Sequence, residues 1–318
     1  MSKKWFWKIF QEAPTGASLT DPIFNDFFNL TLTYRSSADI SRPYGRFVDK
    51  FTHQAIDFSK VIVPENIEIS KSSTKNPNIT KAKDIAWIVS HCETNSHREK
   101  YVEKLKKLLN TSTLSLDIYG ECGPLDLPKP KKESNYQESY SKISSEYKFY
   151  LSFENSLCEE YITEKFFNAM NNGMIPIAFG GLNQTDYSKI APPHSYIHVD
   201  DYQSPEKLIE ILEIIKQNET LHQSYFWWMD YYSLKTKILA EENQCSMCQI
   251  LNQQPGFKSK NDYSDFTTYW NKCRSWIKGP KIYFFMAHTN IELQGIFKNK
   301  ALAKYKTSLH TLKEIVFH

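Results

Sequence analysis

The chain reads as α/β, with a parallel, doubly wound sheet as its clearest part. Three observations predict this. Apolar runs of strand length recur through the middle of the sequence: IAWIVS (85–90), LSLDIYG ending at Gly120, FYLSF (149–153), MIPIAFGG and YIHVD (196–200). Segments with helical periodicity separate several of them. Strand–helix alternation of this kind builds parallel sheets with helices on both faces.

Taken in order, residues 1 to 80 mix short apolar runs with turns: KKWFWKIFQEAP, FFNLTLTYRSSADI and RPYGRFV. The polar SKSSTKNPNITKAKD then reads as a linker. IAWIVS is a buried-strand pattern. NSHREKYVEKLKKLL carries a helical stripe of Tyr101, Val102, Leu105, Leu108 and Leu109, with Asn95 or Ser96 as its N-cap. LSLDIYG is a strand, and after a Pro- and Lys-rich loop FYLSF is another. TEKFFNAMNN is a helix that Thr163 can cap and Gly173 can end in the left-handed conformation. MIPIAFGG and YIHVD are strands. SPEKLIEILEIIKQN is an amphipathic helix with Pro205 in its first turn, and ETLHQSYFWWMDYYSLKTKIL continues as an aromatic-rich helix.

Bulk properties narrow the function classes. A length of 318 residues suggests two domains, and a hydrophobic fraction of 41% supplies sizeable cores. The formal net charge is +3, with Lys and Arg spread along the chain, which argues against a nucleic-acid binder with its basic stripe. A local pocket for one anionic small molecule remains compatible. Aromatic residues make up 14%; core packing accounts for most, and some are free to stack on a sugar or base. No stretch reaches the ~18–20 apolar residues of a membrane span. The apolar run in MSKKWFWKIF is too short for a signal sequence. Five N-x-Ser/Thr sequons, at Asn29, Asn78, Asn110, Asn183 and Asn218, lean toward a lumenal life, although this composition yields some by chance.

The six cysteines are Cys92, Cys122, Cys158, Cys245, Cys248 and Cys273. Cys245-x-x-Cys248 fits a disulfide, free thiols or a metal, in that order: zinc needs a second pair, and only Cys273 follows. Cys92 follows one strand end and Cys122 the next, so the two can lie side by side and form a disulfide.

In a doubly wound sheet, ligands lie outside the carboxyl ends of the strands. Glu154 and Asn155 end a strand there, and Thr163-Glu164-Lys165 opens the next helix. A helix N-terminus suits an anion, and a lysine in the first turn opposes the dipole, which points to a ligand anion. Glu164 can accept hydrogen bonds from a sugar diol, and Asn155 can both donate and accept. Together these suit a nucleotide diphosphate sugar. A lone T-E-K is more often a solvated helix start, and Asp200-Asp201 reads as a solvated helix approach rather than a metal site.

The larger pattern is more specific. Y-x-F-Y-L-S-F-E-N-S, then Y-I-T-E-K-F, N-A and I-P-I resembles the signature of the α1,3-fucosyltransferases, glycosyltransferase family 10. FNLTLTYRSSADI-x-x-PYG (28–45) resembles the family's acceptor-side motif, and IAWIVSHC with N-S-H-R-E-K-Y its V-S-N…S-x-R-x-x-Y segment. YIHVDDYQSPEKL and Y-F-W-W resemble its later donor-domain helices, and CSMCQIL its C-terminal Cys-x-x-Cys. The similarity covers about residues 5 to 276.

The resemblance implies a GT-B-like pair of Rossmann-like domains with parallel sheets, and transfer of L-fucose from GDP-fucose, with inversion, in α1,3 linkage to N-acetylglucosamine of glycans. Arg98 and Lys165 match the family's diphosphate-binding cations. Ser90, Tyr150, Asn155, Tyr161 and Glu164 match its other donor contacts. Glu12 in FQEAP matches its general base, with Glu154 the next carboxylate to consider. No cofactor is implied, and a divalent metal is at most stimulatory. Without the family pattern, Arg98 would read as a surface helix residue and Tyr150 and Tyr161 as core aromatics.

Departures from the pattern shape the remaining expectations. Family members begin with a cytoplasmic tail, a membrane span, a stem and the first acceptor-domain strands, so the chain reads as N-terminally truncated with an incomplete first domain. The full-length form would be a single-pass type II membrane protein facing the Golgi lumen. The implied division is a partial acceptor-side domain (1–80), a donor-binding domain (81–235), a Cys-containing segment packing back on the first domain (236–278) and an unassigned tail (279–318). Cys245 and Cys248, lacking family partners, are expected labile or unpaired, apart from a link to Cys273. His91 stands where many members have Asn. An active enzyme competes with a non-catalytic remnant that binds GDP-fucose or only folds. A cytosolic, disulfide-free interaction protein is disfavoured by the sequons and cysteines.

Overall fold

The computed structural model describes residues 6–8, 22–28, 30–61, 81–127, 136–236, 245–246, 248–249, 252, 259 and 261–274, all within one compact unit, Met1–Ile277. The expected general base Glu12, most of the linker, and the tail from 279 lie outside the described residues.

Strand β1 (Phe6–Lys8) pairs in parallel with β2 (Leu30–Thr33), which pairs in parallel with β3 (Ile40–Ser41). Strand β4 (Arg46–Asp49) follows. The main sheet then assembles from β5 (Lys83–Ile88), helix α1 (Arg98–Leu109), β6 (Leu116–Tyr119), α2 (Tyr136–Ser144) and β7 (Tyr147–Phe153). A two-residue strand β8 (Leu157–Cys158) precedes α3 (Glu164–Asn171), β9 (Ile175–Phe179), α4 (Gln184–Ile190) and β10 (Ile197–His198). Five strands form one parallel sheet in the order β10-β9-β7-β5-β6, and the α/β expectation holds.

The central strands are apolar on both sides because both faces are covered. β9 is buried at every position. One face of the sheet packs on Tyr101, Val102 and Leu105 of α1 and on Leu208, Ile209, Leu212 and Ile215 of α5 (Pro205–Gln217). Tyr150 packs with Ala86 and Ala169 in a separate cluster, and α3 and α4 contribute Phe166, Phe167 and Tyr187 to a third. Pro176 is tolerated inside β9 because β10 pairs only from Ile177 onward.

Three local expectations need correction. The aromatic-rich segment does not continue as helix. It splits into α6 (Glu219–Ser224), a 3₁₀ turn at Trp227–Asp230 and strand β11 (Tyr232–Lys235), antiparallel to β4. Packing decides this: Trp228 meets Phe47 and Tyr232 meets Phe58 edge-on, at 5.3 and 5.1 Å between centroids. YIHVD is strand only at Ile197–His198 and turns into a 3₁₀ helix at Val199–Asp201. The N-cap of α1 is neither Asn95 nor Ser96 but His97, at φ +53° without a side-chain cap bond. Gly173 does take the left-handed conformation after α3, at φ +68°.

The last described elements are α7 (Phe266–Trp270) and β12 (Cys273–Arg274), the latter antiparallel to β8. Ser259, Asn261, Tyr263, Tyr269 and Trp270 meet the β2–β3 region. Tyr263 Oη lies 2.7 Å from Thr31 Oγ1 and donates to Asp39 at 2.6 Å, while fully buried Arg35 donates to the carbonyls of Tyr269 and Trp270. No helix among the described residues is long and apolar enough to cross a membrane.

Candidate active site at the carboxyl edge of the sheet

Four loops meet at the carboxyl ends of the strands. The loops after β5 and β6 are joined by the expected Cys92–Cys122 disulfide. The loops after β5 and β7 are joined through Ser96, whose hydroxyl donates to the Glu154 carbonyl at 2.7 Å and whose N–H donates to the Asn155 carbonyl at 3.0 Å. The loop after β9 closes on the same place: the Glu154 N–H donates to the Phe179 carbonyl, and a Cβ on Gly180 would lie 2.6 Å from Glu154 Cγ.

Arg98 opens α1 and is buried, not the surface residue its bare sequence context allows. One guanidinium nitrogen donates to the Phe153 carbonyl at 2.5 Å, another to the His91 carbonyl at 3.2 Å, and the group lies 5.7 Å from the centre of the Trp87 ring. Burial lowers the Arg98 pKa, and the charge of Glu154 acts against that. Its Nε is buried with no partner among the described residues, as is Oδ1 of Asn155. Ser90 is exposed on the loop after β5, its hydroxyl 3.4 Å from His91 Nδ1.

Thr163 is the N-cap of α3 by position but makes no capping hydrogen bond. Its hydroxyl donates to Glu154 Oε2 at 2.8 Å and its N–H to Oε1 at 2.7 Å. The Lys165 ammonium lies 2.8 Å from that hydroxyl, 3.3 Å from Glu154 Oε2 and 3.2 Å from Oε1 of exposed Glu164. Burial alone would lower the Lys165 pKa; the carboxylates of Glu154 and Glu164 outweigh it and the net direction is upward. Burial raises that of Glu154, with Lys165 in opposition. Glu154 is therefore poorly suited to be a mobile base: it is fully buried and occupied by three donors.

Ser90, Arg98, Asn155, Glu164 and Lys165 thus come to one edge. Tyr150 and Tyr161 do not line it openly. Tyr150 is fully buried on β7 with its hydroxyl 2.8 Å from that of Tyr140, and Tyr161 is packed between Tyr34 and Tyr44. Sequence reasoning missed the part played by Ser96 and the true partners of Thr163. It also missed the Cys158–Cys273 disulfide, which leaves Cys245 and Cys248 free and exposed and excludes a link from them to Cys273. The one available signal was arithmetic: once Cys92 and Cys122 pair, Cys158 needs a partner or stays reduced.

Among the described residues no group of three His, Cys, Asp or Glu side chains could hold a metal ion. Asp200 is engaged by Arg274 instead.

Residues 78–269 match the family described as glycosyltransferase family 10 (fucosyltransferase), C-terminal part. The chain is 36% identical over 253 residues to alpha-(1,3)-fucosyltransferase C of Drosophila melanogaster, covering 78% of this chain and 55% of that protein. It is 33% identical over 257 residues to glycoprotein 3-alpha-L-fucosyltransferase A of the same species, covering 79% and 46%. A crystal structure of alpha1,3-fucosyltransferase with GDP-fucose overlaps 82% of this chain and 79% of its own at a TM-score of 0.47 and 13% identity, a loose likeness. The chain spans about half the length of the curated relatives it matches. The match over residues 78–269, more than half of the chain and all of the five-stranded sheet, shows that the chain belongs to glycosyltransferase family 10, the fucosyltransferase family.

Proposed function

We propose that the chain is an α1,3-fucosyltransferase that binds GDP-fucose at the carboxyl edge of the five-stranded sheet and passes L-fucose, with inversion, to N-acetylglucosamine of a glycoprotein or glycolipid glycan. The observation that carries this reading is the placement of Lys165 in the first turn of α3, at the sheet edge where the Arg98 guanidinium is held by the carbonyls of Phe153 and His91. Two cations and a helix N-terminus at one sheet edge suit a diphosphate. As the glycosidic bond breaks, the departing GDP gains negative charge, so these groups stabilise the transition state more than the ground state. Side chains then do what a metal would otherwise do, and no cofactor is needed.

In this reading Ser90, Asn155 and Glu164 contact the donor, while Tyr150 and Tyr161 shape the walls behind it. Glu12 takes the proton of the acceptor hydroxyl as it attacks the anomeric carbon. The location is the Golgi lumen, behind an N-terminal anchor.

Calorimetry with GDP and GDP-fucose tests the donor part. Both should bind, and Lys165→Ala should weaken both by about 10- to 150-fold, the worth of one charge-assisted contact. Equal affinity would remove Lys165 from the site. Fucose transfer to a GlcNAc-containing acceptor separates an enzyme from a chain that binds the donor without turning it over.

A further inference from the structure

Glu154 is the group at this edge that the proposed chemistry leaves unused. A buried carboxylate must be paired or protonated. The three partners of its carboxylate, the main-chain Thr163 N–H at 2.7 Å, the Thr163 hydroxyl at 2.8 Å and the Lys165 ammonium at 3.3 Å, can all donate. An ionised carboxylate, an acceptor only, satisfies that set.

The main chain of Glu154 is held as firmly. Its N–H donates to Phe179 on β9, and its carbonyl accepts from Ser96. Gly180 supplies the room, since a Cβ there would meet Glu154 Cγ at 2.6 Å. Lys165, in contrast, is partly open, with 20% of its side chain exposed. A cation in the first turn of a helix opposes the dipole and needs a counter-charge to stay there.

We propose that Glu154 is the positioning residue of the donor site: its buried carboxylate holds the Lys165 ammonium and the first turn of α3 in the place where the cation meets the donor's diphosphate. The proposal rests on the reading of Lys165 as the diphosphate cation. No bond forms or breaks at Glu154. Exposed Glu164 also reaches Lys165, but solvent weakens that pair. The titratable groups acting on Lys165 are Glu154 at the end of β7, Glu164 on its own helix and Arg98 from α1, while Tyr140 from α2 feels its charge. Arg98 and burial lower the Lys165 pKa, so removing the Glu154 charge leaves them less opposed.

The experiment reads Lys165 directly and the ligand separately. Lysine amines of the whole chain are followed by NMR titration, the Lys165 signal being assigned by its loss in Lys165→Met. GDP affinity is measured by calorimetry over the same pH range. In the wild type Lys165 should titrate above a free lysine. In Glu154→Gln its midpoint should fall, GDP affinity at neutral pH should drop on the order of tenfold, and the alkaline loss of affinity should begin at lower pH. Glu164→Gln should move both readouts less. A wild-type Lys165 midpoint at or below that of free lysine overturns the proposal even if Glu154→Gln does not fold. An unmoved Lys165 midpoint in folded Glu154→Gln overturns it as well. A midpoint that responds to Glu154, with GDP binding indifferent to Lys165→Met, overturns the donor assignment of Lys165 and with it the positioning role, while the ion pair stands.

Discussion

Cys158 and Cys273, 115 residues apart in sequence, are joined by a disulfide and are also cross-strand partners in β8 and β12. The junction is reinforced beside the bond. Glu159 N–H donates to the Lys272 carbonyl at 2.8 Å, and the two side chains form an ion pair at 3.0 Å. The segment fastened here, 154–163, is the one that carries Glu154, Asn155 and Tyr161 and delivers the chain to α3.

Loss of that bond should be the more damaging of the two disulfide deletions. On the chain-entropy model a loop of this length is worth about 4–5 kcal/mol, against about 3–4 kcal/mol for Cys92–Cys122 with its separation of 30. Denaturant unfolding of Cys158→Ser/Cys273→Ser and of Cys92→Ser/Cys122→Ser should rank them so. The reverse order would mean that the non-covalent contacts of β12 already hold the segment.

Arg98→Lys should not be conservative. The planar guanidinium spans two carbonyls, of Phe153 and His91, which a single ammonium serves poorly. We expect a stability loss of about 1.5–3 kcal/mol together with weaker GDP binding. Unchanged melting with lost binding would make Arg98 purely a ligand contact.

Acid should unfold the chain partly through two buried histidines. Burial lowers the pKa of His222, with Lys81 and Lys148 adding to it, and that of His198, where Asp200 acts in the opposite direction; both fall from an ordinary 6.5 to about 4. A depressed folded-state pKa gives stability that is present above 6.5 and lost as pH falls toward about 4. Each contributes about 3 kcal/mol at most over that window. His222 packs beside Phe149 and Phe226, so His222→Phe should fold and show a shallower loss of stability on acidification. An identical slope in the variant would assign the acid sensitivity elsewhere.

Gly45 lies against the ring of Phe167, where an added Cβ would sit 2.4 Å from ring carbons. Gly45→Ala should cost about 1–3 kcal/mol through overpacking. Phe167→Leu should relieve part of it, giving a double mutant less destabilised than the two changes added together. Strict additivity would show that the loop carrying Gly45 shifts freely.

The parallel sheet was legible because β7 and β9 are buried on both faces, and only a run such as FYLSF or IPIAF satisfies that. Gly173 was legible because a helix must end with its last carbonyls satisfied, and glycine adopts the left-handed turn most easily. The Cys92–Cys122 bond followed from two strand ends in one sheet. β11 was not legible. Its partner β4 lies far earlier in the chain, and no local period distinguishes an aromatic run that will pack on Phe47 and Phe58 from one that will stay helical. Thr163 was misread for a similar reason: its hydroxyl had a choice between its own helix and the side chain of Glu154, and the fold decided. Arg98 and Lys165 could be named from the family pattern, but the buried carboxylate that steadies Lys165 became visible only in three dimensions.

The burial of Arg35 bears on the order in which the chain can be completed during synthesis. The carbonyls that receive its guanidinium belong to residues 234 and 235 positions later, and the carboxylate of Glu159 also comes well after it. The five-stranded sheet needs nothing beyond His198 for its strands and can close while the ribosome is still at work. The β2–β3 region cannot. Until Trp270 has emerged, Arg35 must remain in water and the Thr31–Asp39–Tyr263 network must lack its tyrosine. The β2–β3 region is therefore among the last parts of the described fold to close, and termination ahead of Trp270 would leave a closed sheet attached to a region with a charge it has no means to bury.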